Sequence, residues 1–224
     1  MSKNEPQRIG EFSRRSLMLI EKTSQHSKKA SSTSPCPDCG GSGCDCALIK
    51  SRRDDRESIA ATCGVPSRFR NAEIGATDLP NGGSVFLSGQ TGRGKTWTGS
   101  GMLIEYAVTH PKAVCIWRRS CDIMLELKAS FDNPRMDEST LIDKYRKADV
   151  LMIDELGAEK VSEWSIAAFY SILAGRYDDM KSTIITSNLT VSDLHAWHPR
   201  IASRIRSFEI CAVLNGPDRR LKKK

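Results

Sequence analysis

The chain contains few aromatic residues and no long hydrophobic run. Phenylalanine, tyrosine and tryptophan make up 6% of its 224 residues, while 39% of residues are hydrophobic and 27% are charged, a composition typical of globular proteins. No stretch approaches the ~18 uninterrupted apolar residues of a membrane-spanning helix. The first residues include Glu5 and Glu11 and lack the apolar segment of a signal peptide. These absences argue against a membrane partner and against secretion, and we expect a cytoplasmic protein.

Positive charge is concentrated at the two ends of the chain. The net charge is +7, with 34 basic and 27 acidic residues, which on its own indicates an acidic partner such as nucleic acid. Residues 1–60 carry 11 basic and 8 acidic side chains, residues 217–224 carry 5 and 1, and residues 61–216 carry 18 of each. We therefore predict a neutral globular domain at 61–216, an N-terminal segment at 1–60 and a basic C-terminal tail at 217–224. The tail is either a solvated end or a contact for DNA phosphates.

The eight cysteines are also unevenly distributed, since four of them fall within eleven residues. Gly40, Gly41 and Gly43 lie between them and let the chain fold back, so that two pairs of thiolates can face one ion. Four sulfurs usually bind zinc in a structural site, and metal binding would supply the folding free energy that this apolar-poor segment lacks. An iron–sulfur cluster and redox-active thiols are the alternatives. The predicted zinc ligands are Cys36, Cys39, Cys44 and Cys46.

Short apolar runs alternate with longer helical patterns from residue 61 onward. This alternation is typical of an α/β fold in which helices cover both faces of a parallel sheet. The N-terminal segment adds a short predicted helix at 11–21 and a flexible linker at 22–35. The predicted helices of the domain lie at 95–109, 119–131, 138–147, 162–179 and 192–207, and the predicted strands at 84–87, 113–117, 150–153, 183–186 and 209–214.

A glycine-rich segment after the first predicted strand fits the P-loop pattern in full. Glycines let backbone amides wrap a polyphosphate, and the helix that follows presents its positive N-terminal end to the phosphates. Lys95 is expected to reach the terminal phosphates, and the Thr96 hydroxyl to ligate Mg²⁺. We therefore predict ATP and Mg²⁺ as cofactors, bound by Gly89, Gln90, Thr91, Gly92, Arg93, Gly94, Lys95 and Thr96, with Trp97 beside them.

Two further predicted strands end in polar side chains. Asp154 and Glu155 follow the apolar strand at 150–153, and Asn188 follows the strand at 183–186. In an open α/β sheet such residues face the ligand crevice at the carboxyl ends of the strands. We predict that Asp154 holds Mg²⁺ or its water, and that Glu155 polarises the water that attacks the γ-phosphate. Asn188 is predicted to orient this water, with an ordinary turn or helix cap as the alternative.

Together these segments resemble those of AAA+ ATPases, and the similarity narrows to one family. Four segments are similar to those of the DnaC/DnaI-like replicative helicase loaders and their IstB-like transposition relatives: 65–71, 125–131, 154–157 and 185–189. The resemblance covers most of the chain beyond the N-terminal segment. It implies a three-layer AAA+ sandwich around a five-stranded parallel sheet. We expect no full lid domain, because only ten residues follow Leu214.

The resemblance also implies roles for particular residues. The segment at 65–71, including Phe69, would lie beside the adenine base. Arg204 would reach the nucleotide of a neighbouring subunit, with Arg200 as the second candidate. A cation supplied across an interface would tie hydrolysis to assembly, so the resemblance implies an ATP-dependent homo-oligomer. The alternative is that both arginines lie on a solvated helix face.

The four-cysteine cluster bears on which member of this family the chain resembles. DnaI-like loaders carry an N-terminal zinc-binding segment that contacts the helicase, whereas IstB-like relatives generally lack one. The resemblance therefore implies an ATPase, weak alone and stimulated by assembly or DNA, that loads a hexameric replicative DNA helicase and contacts single-stranded DNA. One alternative is a transposition helper ATPase that binds duplex DNA and a transposase. The other is a zinc-dependent interaction module whose nucleotide site is a switch with little turnover.

Overall fold

A five-stranded parallel sheet forms the centre of the protein. The computed structural model describes residues 46–73, 79, 83–131, 137–157 and 162–221. The strands are β1 (Val85–Ser88), β2 (Cys115–Arg119), β3 (Val150–Asp154), β4 (Ser182–Ser187) and β5 (Ile210–Val213). Their order across the sheet is β2-β3-β4-β1-β5, and each neighbouring pair is parallel. The α/β fold with a five-stranded parallel sheet, predicted from the alternation of apolar runs, is thus confirmed.

Helices lie on both faces of this sheet. Along β1, Val85 and Leu87 face one core cluster, and Phe86 faces the other, as the two-residue period of a strand requires. Within the described ranges, no helix is long and apolar enough to cross a membrane. The helices are α1 (Cys46–Asp54), α2 (Arg56–Thr62), α3 (Lys95–Thr109), α4 (Ser120–Phe131), α5 (Glu138–Lys147), α6 (Glu163–Asp178), α7 (Val191–Trp197) and α8 (Pro199–Arg206), with short 3₁₀ turns at Ser67–Phe69 and Arg219–Leu221.

The two core clusters define the three layers of the fold. The first cluster contains residues of α2 and α3 packed on one face of the sheet. The second contains residues of α4, α5, α6, α7 and α8 packed on the other face. All residues of β1, β3 and β4 are buried, and β1 and β3 are apolar at every position but the last, as burial on both faces of a parallel sheet requires.

One sequence prediction about the helices is wrong. The segment at 192–207 is not a single helix but two, α7 and α8, separated at His198. Pro199 follows, and a residue before proline is disfavoured in the helical region, so His198 adopts an extended conformation with φ −157° and ψ 104°. The His198 side chain then accepts a hydrogen bond from the Ile201 N–H and caps α8, where Pro199 occupies the first turn.

The helices α1 and α2 pack against α3. Arg52 donates to the carbonyl oxygen of Val108 at 3.0 Å, and Arg56 forms an ion pair with Glu105 at 2.7 Å. These contacts join the end of the predicted N-terminal segment to the globular domain, so removal of all residues before 61 would remove α1 and most of α2, which pack against α3. The division into segments stays a prediction, and the predicted helix at 11–21 lies outside the described residues.

A fully buried arginine on α6 ties the segment after α5 to the start of β4. The Arg176 guanidinium donates to the carbonyl oxygens of Tyr145, Ala148 and Ser182. Burial lowers the pKa of Arg176 to about 10, so the side chain stays charged at neutral pH. Its hydrogen-bond partners are neutral oxygens, those of these carbonyls and of the Thr183 hydroxyl, which makes it a structural donor.

Substitution of this arginine should destabilise the fold strongly. Arg176→Met leaves these buried carbonyl oxygens without donors, at about 1–3 kcal/mol for each unsatisfied group, so the free energy of unfolding should fall by about 3 kcal/mol or more. Urea denaturation measures this change. Arg206→Met, at an exposed position on α8, is the matched control and should change the free energy by less than about 0.5 kcal/mol. Equal stability of the two variants would contradict this role of Arg176.

Candidate functional site

The sheet topology brings three predicted motifs to one edge of the sheet. In the sheet β4 lies between β3 and β1, and all three run in the same direction, so their carboxyl ends are adjacent. β1 leads into the P-loop at 89–96, β3 ends at Asp154, and β4 ends directly before Asn188. Open α/β sheets bind ligands in the crevice at this edge. The crevice therefore receives side chains from three separate parts of the chain.

The P-loop has the backbone geometry that its glycines permit. Gly89 has φ +136°, and a Cβ atom at this position would lie 2.5 Å from the carbonyl oxygen of Leu214, which follows β5. Gly94 has φ +90° and is the cap of α3. Both backbone conformations are rare for residues with a side chain. The loop thus passes close to the end of β5 and turns directly into α3.

Lys95 connects the P-loop to the end of β4. Its side chain is 7% exposed, and Nζ donates to the carbonyl oxygens of Gly89 at 2.7 Å and Gln90 at 3.0 Å and to Oδ1 of Asn188 at 2.8 Å. Burial lowers the pKa of Lys95, although the carboxylates of Asp154 and Glu155 oppose the shift. The structure therefore brings together two predicted site residues, Lys95 and Asn188, that lie 93 positions apart in sequence.

Asp154 is 2% exposed and has a hydroxyl partner. The Thr186 hydroxyl donates to its Oδ1 at 2.6 Å. Burial raises the pKa of Asp154, and the Thr186 and Thr96 side chains act in the opposite direction. The two residues predicted to ligate Mg²⁺, Thr96 and Asp154, are thus close enough to interact.

Glu155 has an unusual backbone conformation. Its φ is +59°, in the left-handed region, which residues other than glycine adopt at a cost of about 1–3 kcal/mol. Its N–H donates to Oγ1 of Thr186 at 3.0 Å, and its carbonyl oxygen accepts from Oγ of Ser120 at 2.9 Å. The side chain is exposed at the crevice edge, beside the buried Asp154. A turn held in this way directs an acidic side chain out of the sheet.

The remaining predicted nucleotide contacts surround the start of α3. Gln90 and Thr91 are exposed, and Arg93 donates to Oε1 of Gln90 at 3.0 Å. Trp97, in the first turn of α3, and Phe69, at the end of a 3₁₀ turn, both pack against the first core cluster. Both rings are therefore partly buried against the core.

Arg204 lies on α8, which packs on the face of the sheet opposite α3. Its guanidinium carbon lies 4.6 Å from the ring centre of Tyr170 and 5.9 Å from that of Tyr177. Its Nε is buried and has no hydrogen-bond partner in the described part of the chain. Arg200 lies 5.9 Å from the Tyr170 ring. Both arginines thus flank one ring, with Arg204 closer to it.

The sequence patterns did not predict that the C-terminal tail contacts the P-loop. The Arg219 N–H donates to the carbonyl oxygen of Gly92 at 2.9 Å, and the Asp218 carboxylate occupies the space where a Cβ of Gly92 would lie. The positive charge of Arg220 contributes to the lowered pKa of Lys95, so this cation also lies near the site. A run of basic residues is ordinarily solvated, and only the return of β5 beside β1 brings this tail to the loop.

The predicted zinc site cannot be built from the described residues. Cys36, Cys39 and Cys44 lie outside them, and Cys46 is the first residue of α1. The four-cysteine site therefore stays a prediction.

Comparison with known proteins gives a family match. The chain matches the model described as "IstB-like ATP binding protein" over residues 77–203, more than half of its length. It is 30% identical over 130 residues to the uncharacterized protein YqaM of Bacillus subtilis, a match that covers 56% of this chain and 40% of that protein. It is 31% identical over 110 residues to the replicative helicase loader DnaC of Buchnera aphidicola, covering 49% of this chain and 44% of that protein.

A solved structure shares the fold. The crystal structure of the DnaC helicase loader matches with a TM-score of 0.53 at 24% identity, over 62% of this chain and 81% of that one. At this identity the likeness concerns the fold alone. The chain spans less than half the length of the two curated relatives named above.

Proposed function

The chain belongs to the IstB-like ATP-binding protein family, and on that premise we propose that it is an ATP-hydrolysing loader of a hexameric replicative DNA helicase. The observation that carries the ATPase part is one contact network at the sheet edge. In it Lys95 bonds to Asn188, and the Thr96 side chain lies beside Asp154. Residues from three motifs thereby form one site whose composition suits phosphoryl transfer.

The residues present fit ATP and Mg²⁺. Thr96 and Asp154 offer a hydroxyl and a carboxylate oxygen, the hard donors that Mg²⁺ prefers. Lys95 is a buried cation at the N-terminus of α3, and both features attract phosphate. When bound, Mg²⁺ would neutralise charge on the phosphate oxygens. Thr96 and Asp154 would hold this ion, and the P-loop amides with Lys95 would hold the phosphates.

Each remaining residue has a role that follows from its position. Glu155, exposed beside the buried Asp154, would accept the proton of the attacking water. Asn188, already hydrogen-bonded to Lys95, would orient that water. Arg204 lies on α8, on the face of the sheet opposite α3, so it would compensate phosphate charge in a neighbouring subunit rather than its own. Hydrolysis would then require a homo-oligomer in which one subunit completes the site of the next.

Loading of a helicase is the biological role we favour. The relative from Buchnera aphidicola is named as a replicative helicase loader, and the four-cysteine cluster would provide a zinc-bound segment for contact with the helicase. Single-stranded DNA is the proposed nucleic-acid partner. The resemblance to IstB-like relatives leaves transposition as the second candidate function, in which the partners would be duplex DNA and a transposase.

Co-purification with the hexameric replicative helicase of the source organism tests the partner and the zinc segment together. A double variant, Cys36→Ser with Cys39→Ser, removes half of the thiolates without removing any helix. We expect this variant to lose bound zinc, measured by metal analysis, and to retain much less helicase. Cys121→Ser, which alters an exposed thiol on α4, should retain both. Equal capture of helicase by all three proteins would contradict the proposed contact, and recovery of iron would contradict zinc.

A further inference from the structure

Thr186 is a fully buried residue of β4, within the family-like segment at 185–189, for which the resemblance implied no role. Its hydroxyl donates to Oδ1 of Asp154 at 2.6 Å and accepts from the N–H of Glu155 at 3.0 Å. Its backbone carbonyl oxygen accepts from the N–H of Leu156 at 2.9 Å. One side chain is therefore bonded to both residues of the acidic pair, to the carboxylate of the first and to the backbone of the second.

These bonds hold a conformation that is unfavourable in isolation. Glu155 is in the left-handed region, so the turn after β3 persists only because its surroundings fix it. Thr186 binds the N–H of Glu155, and Ser120 binds its carbonyl oxygen. The Thr186 oxygen must donate and accept at once, which a hydroxyl does and an apolar side chain of the same shape does not.

We propose that Thr186 is a positioning residue for ATP hydrolysis, which fixes both the orientation of the Asp154 carboxylate and the turn that carries Glu155. This inference rests on the proposed ATPase function. Because Asn188 lies two residues further along the same strand end, β4 would place the proposed Mg²⁺ ligand, the proposed base and the water-orienting amide relative to one another. Residues that support metal ligands in this way typically contribute 10–100-fold to metal affinity or activity.

The first test compares Thr186→Val with Thr186→Ser. Valine keeps the shape of threonine and removes its hydroxyl, so kcat should fall about 10- to 100-fold. The Mg²⁺ concentration that gives half-maximal hydrolysis should rise about 10-fold. The KM for ATP at saturating Mg²⁺ should change much less, since the P-loop is intact. Serine restores the hydroxyl and should restore most of both losses. Thr183→Val removes another buried hydroxyl of β4, one bonded to Arg176, and should leave kcat and the Mg²⁺ requirement near wild type.

The second test needs no bound ligand. Amide hydrogen exchange should show that the N–H groups of Glu155 and Leu156 are protected in the wild-type protein. In Thr186→Val the Glu155 amide should exchange at least ~10-fold faster, because it loses its acceptor, while the Leu156 amide stays protected by the unchanged carbonyl of residue 186. General disruption of the strand would speed both amides. If Thr186→Val does not fold, rapid exchange of the Glu155 amide in the wild-type protein would still overturn the inference.

A parallel variant separates this inference from the proposed function. Asp154→Asn should abolish Mg²⁺-dependent hydrolysis if the site is an ATPase site at all. Hydrolysis that survives in Asp154→Asn would overturn the proposed function. Loss in Asp154→Asn combined with a wild-type Mg²⁺ requirement and kcat in Thr186→Val would overturn only the role of Thr186.

Discussion

Glu155→Gln is expected to lower the rate of ATP hydrolysis by about 10²–10⁴-fold and to leave ATP affinity nearly unchanged. Glutamine has the same shape as glutamate, so the left-handed turn held by Thr186 and Ser120 should persist. It cannot accept a proton from the attacking water, and the phosphate contacts of Lys95 and the P-loop do not involve it. The variant should therefore bind ATP and accumulate the bound state. Steady-state hydrolysis and binding of a fluorescent ATP analogue measure the two effects.

A matched control excludes a general effect of charge removal. Glu57→Gln, at an exposed position on α2, removes the same charge at a residue far from Glu155 along the chain. This variant should hydrolyse ATP at the wild-type rate. A Glu155→Gln rate within a few-fold of this control would contradict the assignment of Glu155 as the base. Weaker ATP binding by Glu155→Gln would show instead that the side chain holds the nucleotide.

Arg204→Ala should reduce hydrolysis by about 10³-fold or more if the arginine completes the site of a neighbouring subunit. The loss follows because the cation supplied across the interface would no longer compensate its share of the charge that develops on the transferred phosphate. ATP binding to each subunit should be affected far less. Arg200→Ala, which alters the more distant neighbour of Tyr170, decides between the two candidates and should retain most activity.

Mixing distinguishes action between subunits from action within one. Arg204→Ala keeps an intact P-loop site, and Glu155→Gln keeps an intact Arg204, so a mixed oligomer contains some complete interfaces. At equal proportions about a quarter of the wild-type rate should return, since half of the sites are intact and half of those face an intact arginine. No recovery on mixing, with both proteins shown to assemble, would contradict a role in trans.

Local patterns predicted those features whose chemistry lies in contiguous residues. The P-loop and the apolar strand before Asp154 carry their own signals, because glycine spacing and uninterrupted burial are both visible along the chain. The parallel order of the strands then places Asn188 at the same edge. The break between α7 and α8 also had a signal, Pro199, which the prediction of one helix at 192–207 did not take into account.

Features that depend on tertiary contacts could not be predicted in this way. Thr186 occupies an interior strand position where a β-branched residue is ordinary, so only the pairing of β3 with β4 reveals its two hydrogen bonds. Asp218 and Arg219 belong to a charged tail whose composition indicates solvation, yet they contact Gly92 because β5 returns beside β1. In each case the missing information was which strand is the neighbour of which.

The most direct test of the proposed function is the rate of Mg²⁺-dependent ATP hydrolysis by the purified full-length protein, alone and with the helicase and single-stranded DNA. Lys95→Ala provides the background, since it removes the buried cation that bonds to the P-loop carbonyls and Asn188. The wild-type protein should hydrolyse ATP faster than this background, and the rate should rise when helicase and DNA are present. A wild-type rate equal to that of Lys95→Ala under every condition would contradict the proposal that this site drives a loader.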